Sequence, residues 1–179
     1  MKKAFAWLML LTITALFAMT VTPAFAHTEG DPFSAPLAAG SPHYYGEPGP
    51  KDPSWYWDHV TYVGHVFVWN DGDNLYVTFS TDDVGMHETH IAVAEAFEDI
   101  PQTPTGNPKV GRFPFGHEDL GGAMTDLNVI PLEWDVGTEL IIAAHTELCN
   151  GETAWADCGG DDAFFPGNNW ATFFYYTVQ

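Results

Sequence analysis

Alternation of apolar and polar residues is the clearest pattern in the chain, and it predicts β-strands. Residues 60–69 and 75–80 are rich in Val, Phe, Tyr and Thr, and the acidic turn 70–74, which contains Gly72, separates them. Two β-prone runs around such a turn predict a β-hairpin. The same kind of pattern predicts further strands at 89–94, 126–132, 139–148 and 170–178.

No long stretch of the chain has the period of an amphipathic helix. Residues 95–115 contain repeated Pro and Gly, which excludes a regular helix or a central strand and predicts a long ordered loop. Six or more short strands joined by Gly/Pro turns indicate an all-β fold. We predict an antiparallel β-sandwich of the immunoglobulin-like or jelly-roll type with long loops, with a small β-barrel as the alternative.

The start of the chain predicts a processed, exported protein. Residues 1–26 have a Lys2–Lys3 start, an apolar stretch and an Ala-x-Ala end before His27. This is the pattern of a cleaved secretory signal peptide, which indicates the periplasm or the extracellular space. Residues 27–59 are rich in Pro, Gly and charge, so we predict an irregular N-terminal segment before a β-domain at 60–179.

The negative charge of the chain limits the classes of partner that it is expected to bind. The formal net charge is −19 at pH 7, and the only strong bases after residue 26 are Lys51, Lys109 and Arg112. Nucleic acids and anionic membranes are disfavoured as partners, because binding to either depends on Lys and Arg. Divalent cations are compatible with this charge, and so is a simple role of the acidic surface in solubility.

Two cysteines remain to be placed. Cys149 and Cys158 are the only cysteines of the chain, and in an oxidising compartment they predict one disulfide. A metal site is less favoured for them, because their spacing is not the Cys-x-x-Cys of zinc sites.

Several motifs in this order resemble a family of secreted bacterial proteins of unknown function. The clearest are Glu88-Thr89-His90, Gly106-Asn107-Pro108 and the stretch Glu152-Thr153-Ala154-Trp155. The resemblance covers most of residues 60–179 and part of 31–40. It implies a β-sandwich domain and export, and it implies no particular activity.

The strongest candidate for metal chemistry is a pair of histidines on two predicted strands. On a strand, Glu88 and His90 share one face, and His145 lies within an apolar run. If the two strands are neighbours, His90 and His145 meet, and Glu88, Glu147, Glu152 or Asp157 can supply oxygen ligands for zinc or copper. The alternative is that both histidines are buried and hydrogen-bonded within the core.

A second metal hypothesis involves His27. As the first residue after cleavage, His27 offers an α-amino group and an imidazole, which together can chelate copper if another histidine approaches. The alternative is that His27 is simply the residue that follows the cleavage site.

Acidic turns are candidates for calcium. Asp71 and Asp73 share one turn, and further acidic turns occur at 82–83 and 157–162. Oxygen-rich turns suit calcium, although none has the full EF-hand spacing, and a solvated β-turn explains each of them as well.

Aromatic residues raise the possibility of glycan binding. Tyrosine and tryptophan rings stack on sugars, and the candidates are Tyr44, Tyr45, Trp55, Trp57 and Trp155. Packing in the core is the alternative for each of them.

No nucleophile motif is present, and the many acidic residues do not identify a catalytic pair, so the sequence assigns no reaction. The leading hypothesis is an exported, non-enzymatic binding or structural protein associated with calcium. The alternatives are a histidine-based copper or zinc protein or metalloenzyme, and a glycan-binding or adhesion module. Self-association by strand addition from the N-terminal segment is a further hypothesis.

Overall fold

A computed structural model describes residues 32–40, 60–157, 164–167 and 169–179. These residues contain β-strands and two short 3₁₀ turns, at Phe97–Asp99 and Val110–Arg112, and no α-helix, so the all-β class is confirmed. The strands are β1 Phe33–Ala39, β2 Thr61–Asn70, β3 Asn74–Thr81, β4 Met86–Ala94, β5 Phe115–His117, β6 Thr125–Pro131, β7 Glu139–Leu148, β8 Thr153–Ala156 and β9 Phe174–Thr177. Within the described residues, no helix has the length and apolar character needed to span a bilayer.

The strands form one antiparallel sheet that nearly closes into a barrel. Its order is β5-β4-β7-β8-β1-β2-β3-β6, and β9 also pairs with β7. The two end strands, β5 and β6, approach each other where the His117 imidazole contacts the Asp126 carboxylate at 2.9 Å. Of the two arrangements predicted from sequence, this continuous sheet corresponds to the barrel.

Apolar side chains pack on both sides of part of this sheet. The inner core takes residues from most of the strands, including Val66, Phe79 and Ile142. A second cluster lies outside β4, β7 and β8, where Ala92, Ala143 and Trp155 pack under residues of the loops that follow β4 and β8. This outer layer gives β4 and β7 two covered faces, which matters for the candidate site.

Three strands lie where the sequence analysis placed none, namely β1, β5 and β8. The irregular segment predicted at 27–59 is wrong for 33–39, since β1 lies in the sheet between β8 and β2. The sequence of β1 does not have a strand pattern, because it consists mainly of small residues and contains Pro36. The missing N–H of Pro36 is tolerated because Pro36 lies at the end of the β1–β8 ladder, just before the Leu37–Ala156 pair, where its carbonyl still accepts a hydrogen bond from the Asp157 N–H. The last predicted strand, 170–178, is shorter in the structure, as β9 spans Phe174–Thr177.

Candidate metal centre

The predicted meeting of His90 and His145 is confirmed. β4 and β7 are antiparallel neighbours in which His90 pairs with His145 and Glu88 pairs with Glu147. The two imidazole rings have centroids 5.8 Å apart. Directly paired residues on adjacent strands project on the same face, so four side chains with metal-ligating groups are gathered at one place outside the barrel.

A β-bulge adds a fifth side chain, that of His87. The register shifts between Met86 and Glu88, which leaves His87 as the extra residue, and the His87 carbonyl accepts a hydrogen bond from the Leu120 N–H. Adjacent residues on a regular strand point to opposite faces, whereas a bulge redirects a side chain. Ligand atoms of His87, Glu88 and Glu147 therefore lie within 4.8 Å of one another.

The candidate centre runs from the outer apolar layer to the solvent. Along β4, Ala92 is buried, the His90 side chain is 13 % exposed and that of Glu88 is 25 % exposed. His87 at the outer end is exposed. On the β5 side, Gly116 pairs with His90, and a Cβ at this glycine would collide with the Thr89 carbonyl. Glycine thus allows β5 to approach β4 and places no side chain beside His90.

The two glutamates face each other, and among the described residues neither has a Lys or Arg partner. The His90 Nε2 contacts one Glu88 oxygen at 2.8 Å. Across the part of the chain that the structure describes, Lys109 and Arg112 form no ion pair, because both ion pairs there involve histidine. Like charges directly opposite each other destabilise a sheet, and a bound cation would remove this repulsion.

His145 lies beneath the glutamates in the most buried part of the cluster. Its residue is 7 % exposed, and its Nδ1 atom is buried with no hydrogen-bond partner. Burial, followed by the neighbouring His90, lowers the pKa of His145 to about 3. The imidazole is therefore neutral at ordinary pH, which is the form that binds metals.

The donor set suits a divalent metal ion. Imidazole nitrogens together with carboxylate oxygens form common sites for zinc and related transition metals. His87, Glu88 and Glu147 are the only group of three or more potential ligands that comes this close together among the described residues. Of the oxygen ligands anticipated from sequence, Glu152 instead lies in the turn after β7, where its backbone N–H bonds to the Asn150 side chain.

The acidic turn around Asp71 has a structural explanation. One carboxylate oxygen of Asp71 accepts hydrogen bonds from the Asp73 and Asn74 N–H groups, and the other accepts one from the Tyr76 hydroxyl. These bonds lower the pKa of Asp71, the Tyr76 bond most strongly. The carboxylate thus holds the β2–β3 turn together, and the calcium predicted at Asp71 and Asp73 gains no support from this geometry.

Most of the other candidate residues lie outside the described part of the chain. These residues are His27, Tyr44, Tyr45, Trp55 and Trp57. Trp155 is described, and the surface role predicted for it is wrong. It is 5 % exposed and packs against His145, with ring centroids 4.7 Å apart, so a sugar cannot stack on it from solvent.

The predicted disulfide stays a prediction, because Cys158 lies outside the described residues. Cys149 is exposed, and it is bonded to no other cysteine within the described residues.

Sequence reasoning missed a second polar cluster at the seam of the barrel. The buried Asp126 accepts hydrogen bonds from the Thr89 hydroxyl at 2.6 Å and from the Asn128 amide at 2.8 Å. Its other oxygen contacts His117. No local motif signals this cluster, because its members come from strands that meet only when the sheet curls.

For the metal cluster, the sequence did give one weak indication of His87, which directly precedes Glu88.

No protein-family model, no curated protein and no solved structure matches the chain.

Proposed function

We propose that this chain is an exported protein that binds a divalent metal ion through Glu88, Glu147, His87 and His90. Export rests on the signal-peptide pattern of residues 1–26. Binding rests above all on one observation, the direct pairing of Glu88 with Glu147 without a Lys or Arg partner among the described residues.

The position of the cluster supports access from solvent. His87 is exposed, and the two glutamates are partly exposed. An ion can therefore reach the carboxylates without opening the barrel, while His90 and the outer apolar layer hold the inner side of the cluster in place. The role is binding, and no catalytic residue is assigned.

The bulge supports function over packing. A regular strand would place His87 on the opposite face from Glu88, and the Leu120 N–H bond to the His87 carbonyl holds the irregular backbone in place. Bulges that redirect a side chain are frequent beside functional sites. Here the redirected side chain joins the two carboxylates.

The test is metal binding by the chelator-stripped, processed protein, measured by equilibrium dialysis and elemental analysis. Zinc, copper, manganese and calcium are offered separately. We expect near-stoichiometric binding of at least one ion, and loss of that binding in the double variant Glu88→Gln, Glu147→Gln.

A matched control removes two acidic groups elsewhere. Asp82 and Asp83 are exposed in the turn between β3 and β4, so Asp82→Asn with Asp83→Asn lowers the charge equally and should retain the ion. If wild-type protein binds none of the four ions, or if both double variants lose binding alike, the proposal is wrong.

A further inference from the structure

The histidines at the buried end of the candidate centre bear on which ion it binds. Resting on the proposed function, we propose that the ion is a transition metal of the zinc or copper type, and that His145 is the inner nitrogen ligand that selects it over calcium and magnesium.

The first support is the hydrogen-bond state of His145. A histidine buried only for packing is expected to satisfy its polar atoms, because a buried polar atom without a partner costs about 1–3 kcal/mol. Nδ1 of His145 has no partner among the described residues, although Glu88 lies close enough to engage His90. An ion bound at this nitrogen would satisfy it.

The second support is the spacing of the two imidazoles. Zinc–nitrogen bonds of about 2.0–2.1 Å in a tetrahedral site place two ligating nitrogens roughly 3.3 Å apart, and the ring centres about 5–6 Å apart. The centroids of His90 and His145 are 5.8 Å apart. Rings at this separation can turn one nitrogen each toward the same ion, so the register that pairs these residues is compatible with a shared ion.

The third support is the difference between the ligand atoms at the exposed end of the cluster and those at its buried end. The outer group offers two carboxylates, from Glu88 and Glu147, and one nitrogen, from the exposed His87, and the carboxylate pair alone also suits calcium or magnesium. The inner pair, His90 and His145, offers only nitrogen. Calcium and magnesium are coordinated by oxygen, whereas imidazole favours zinc and copper. The inner pair adds two further nitrogens, so it raises the preference for zinc and copper beyond what His87 alone provides.

Burial of His145 strengthens this role. Its ring packs against Trp155, which in turn contacts Phe113 and Phe165. This aromatic layer fixes the ring position and excludes water from its inner side. A ligand held in place by packing favours one coordination geometry over others.

The first experiment uses the unaltered protein. Zinc is added to chelator-stripped, ¹⁵N-labelled protein, and the imidazole nitrogens are followed by long-range ¹H–¹⁵N NMR. We expect ring nitrogens of both His90 and His145 to shift at one equivalent of zinc, and calcium to leave them unchanged.

The second experiment compares two variants, His145→Phe and the control His65→Phe. His65 is exposed on the outer face of β2, three strands from β7 in the sheet order. We expect His145→Phe to weaken zinc binding at least about tenfold, the lower end of the loss seen when a residue that supports a metal ligand is removed. Calcium binding should not change, and His65→Phe should behave like wild type.

Each outcome has a distinct meaning. If wild type binds neither zinc nor copper but binds calcium at the glutamates, this inference fails and the proposed function stands. If zinc binds while the His145 nitrogens do not move and His145→Phe keeps its affinity within twofold, His145 is not a ligand and the inference fails. If no ion binds at all, the proposed function itself fails.

Discussion

Glu88 and Glu147 stand directly opposite each other across the β4–β7 ladder, on the face outside the barrel. In the metal-free protein this pairing lowers stability, because like charges at paired positions repel each other. A cation bound between the two carboxylates removes this repulsion. This relationship gives the candidate centre a signature in stability as well as in binding.

Replacing one glutamate should stabilise the metal-free protein. In Glu147→Gln the repulsion with Glu88 is gone, so we expect the free energy of unfolding in chelator to rise by about 0.2–1 kcal/mol. Urea denaturation with and without zinc measures both effects, since zinc should stabilise wild type and not the variant. A variant less stable than wild type in chelator would show that Glu147 makes a stabilising contact of its own.

Stability of the metal-free protein should fall on acidification because of His145. The pKa of this group is lowered to about 3 by burial and His90, against about 6.5 in an unfolded chain. Between these values the unfolded chain binds a proton that the folded chain does not. Its contribution is therefore fully present above pH 6.5 and declines below it, by at most about 1.4 kcal/mol per pH unit.

The variant His145→Phe isolates this contribution. Its stability relative to wild type should increase steadily as the pH falls from 6.5 toward 4, as measured by urea denaturation at each pH in the presence of chelator. Parallel pH profiles for the two proteins would mean that the His145 pKa is not lowered in the folded state.

The Asp71–Tyr76 bond should be visible in the titration of Asp71. The hydroxyl of Tyr76 is the largest cause of the lowered pKa of Asp71, ahead of the two backbone N–H groups. In Tyr76→Phe the pKa should rise toward 3.8 without reaching it, because the backbone bonds remain. Carbon-13 NMR of the carboxylate from pH 2 to 6 measures this, and an unchanged pKa would exclude the bond in solution.

Asp126 should be the most sensitive acidic position in the described fold. Asp126→Ala leaves the buried Thr89 hydroxyl and the Asn128 amide without their acceptor, and we expect a loss of about 2–4 kcal/mol in the free energy of unfolding. The exposed Asp82→Ala is the control and should change stability by less than about 0.5 kcal/mol. Equal effects in thermal or urea unfolding would show that the seam contributes nothing.

Strands with clear alternation were predictable from sequence, and short or mixed ones were not. β2, β3, β4, β6 and β7 lie within a few residues of their predicted bounds. β1 was not predicted, because alanines and Pro36 have little β-propensity. Only its pairing with both neighbouring strands makes it a strand. The barrel depends on how the sheet curls, which a periodic pattern does not encode.

The candidate centre was predictable in part for the same reason. Glu88 and His90 share a face by simple alternation, and one condition, that β4 and β7 are neighbours, brought in His145 and Glu147. The place of His87 was not predictable, because it depends on a bulge at which the His87 carbonyl accepts a hydrogen bond from Leu120, a residue distant in sequence. Nor was the buried state of Trp155, which depends on the outer loops.

The most direct test of the account is anomalous X-ray diffraction from crystals of the stripped protein soaked in one equivalent of zinc, recorded on both sides of the zinc absorption edge. We predict one strong anomalous peak between β4 and β7, within coordination distance of Glu88 and Glu147 and beside His90. A fully occupied peak elsewhere in the molecule, with these side chains unliganded, would contradict the account.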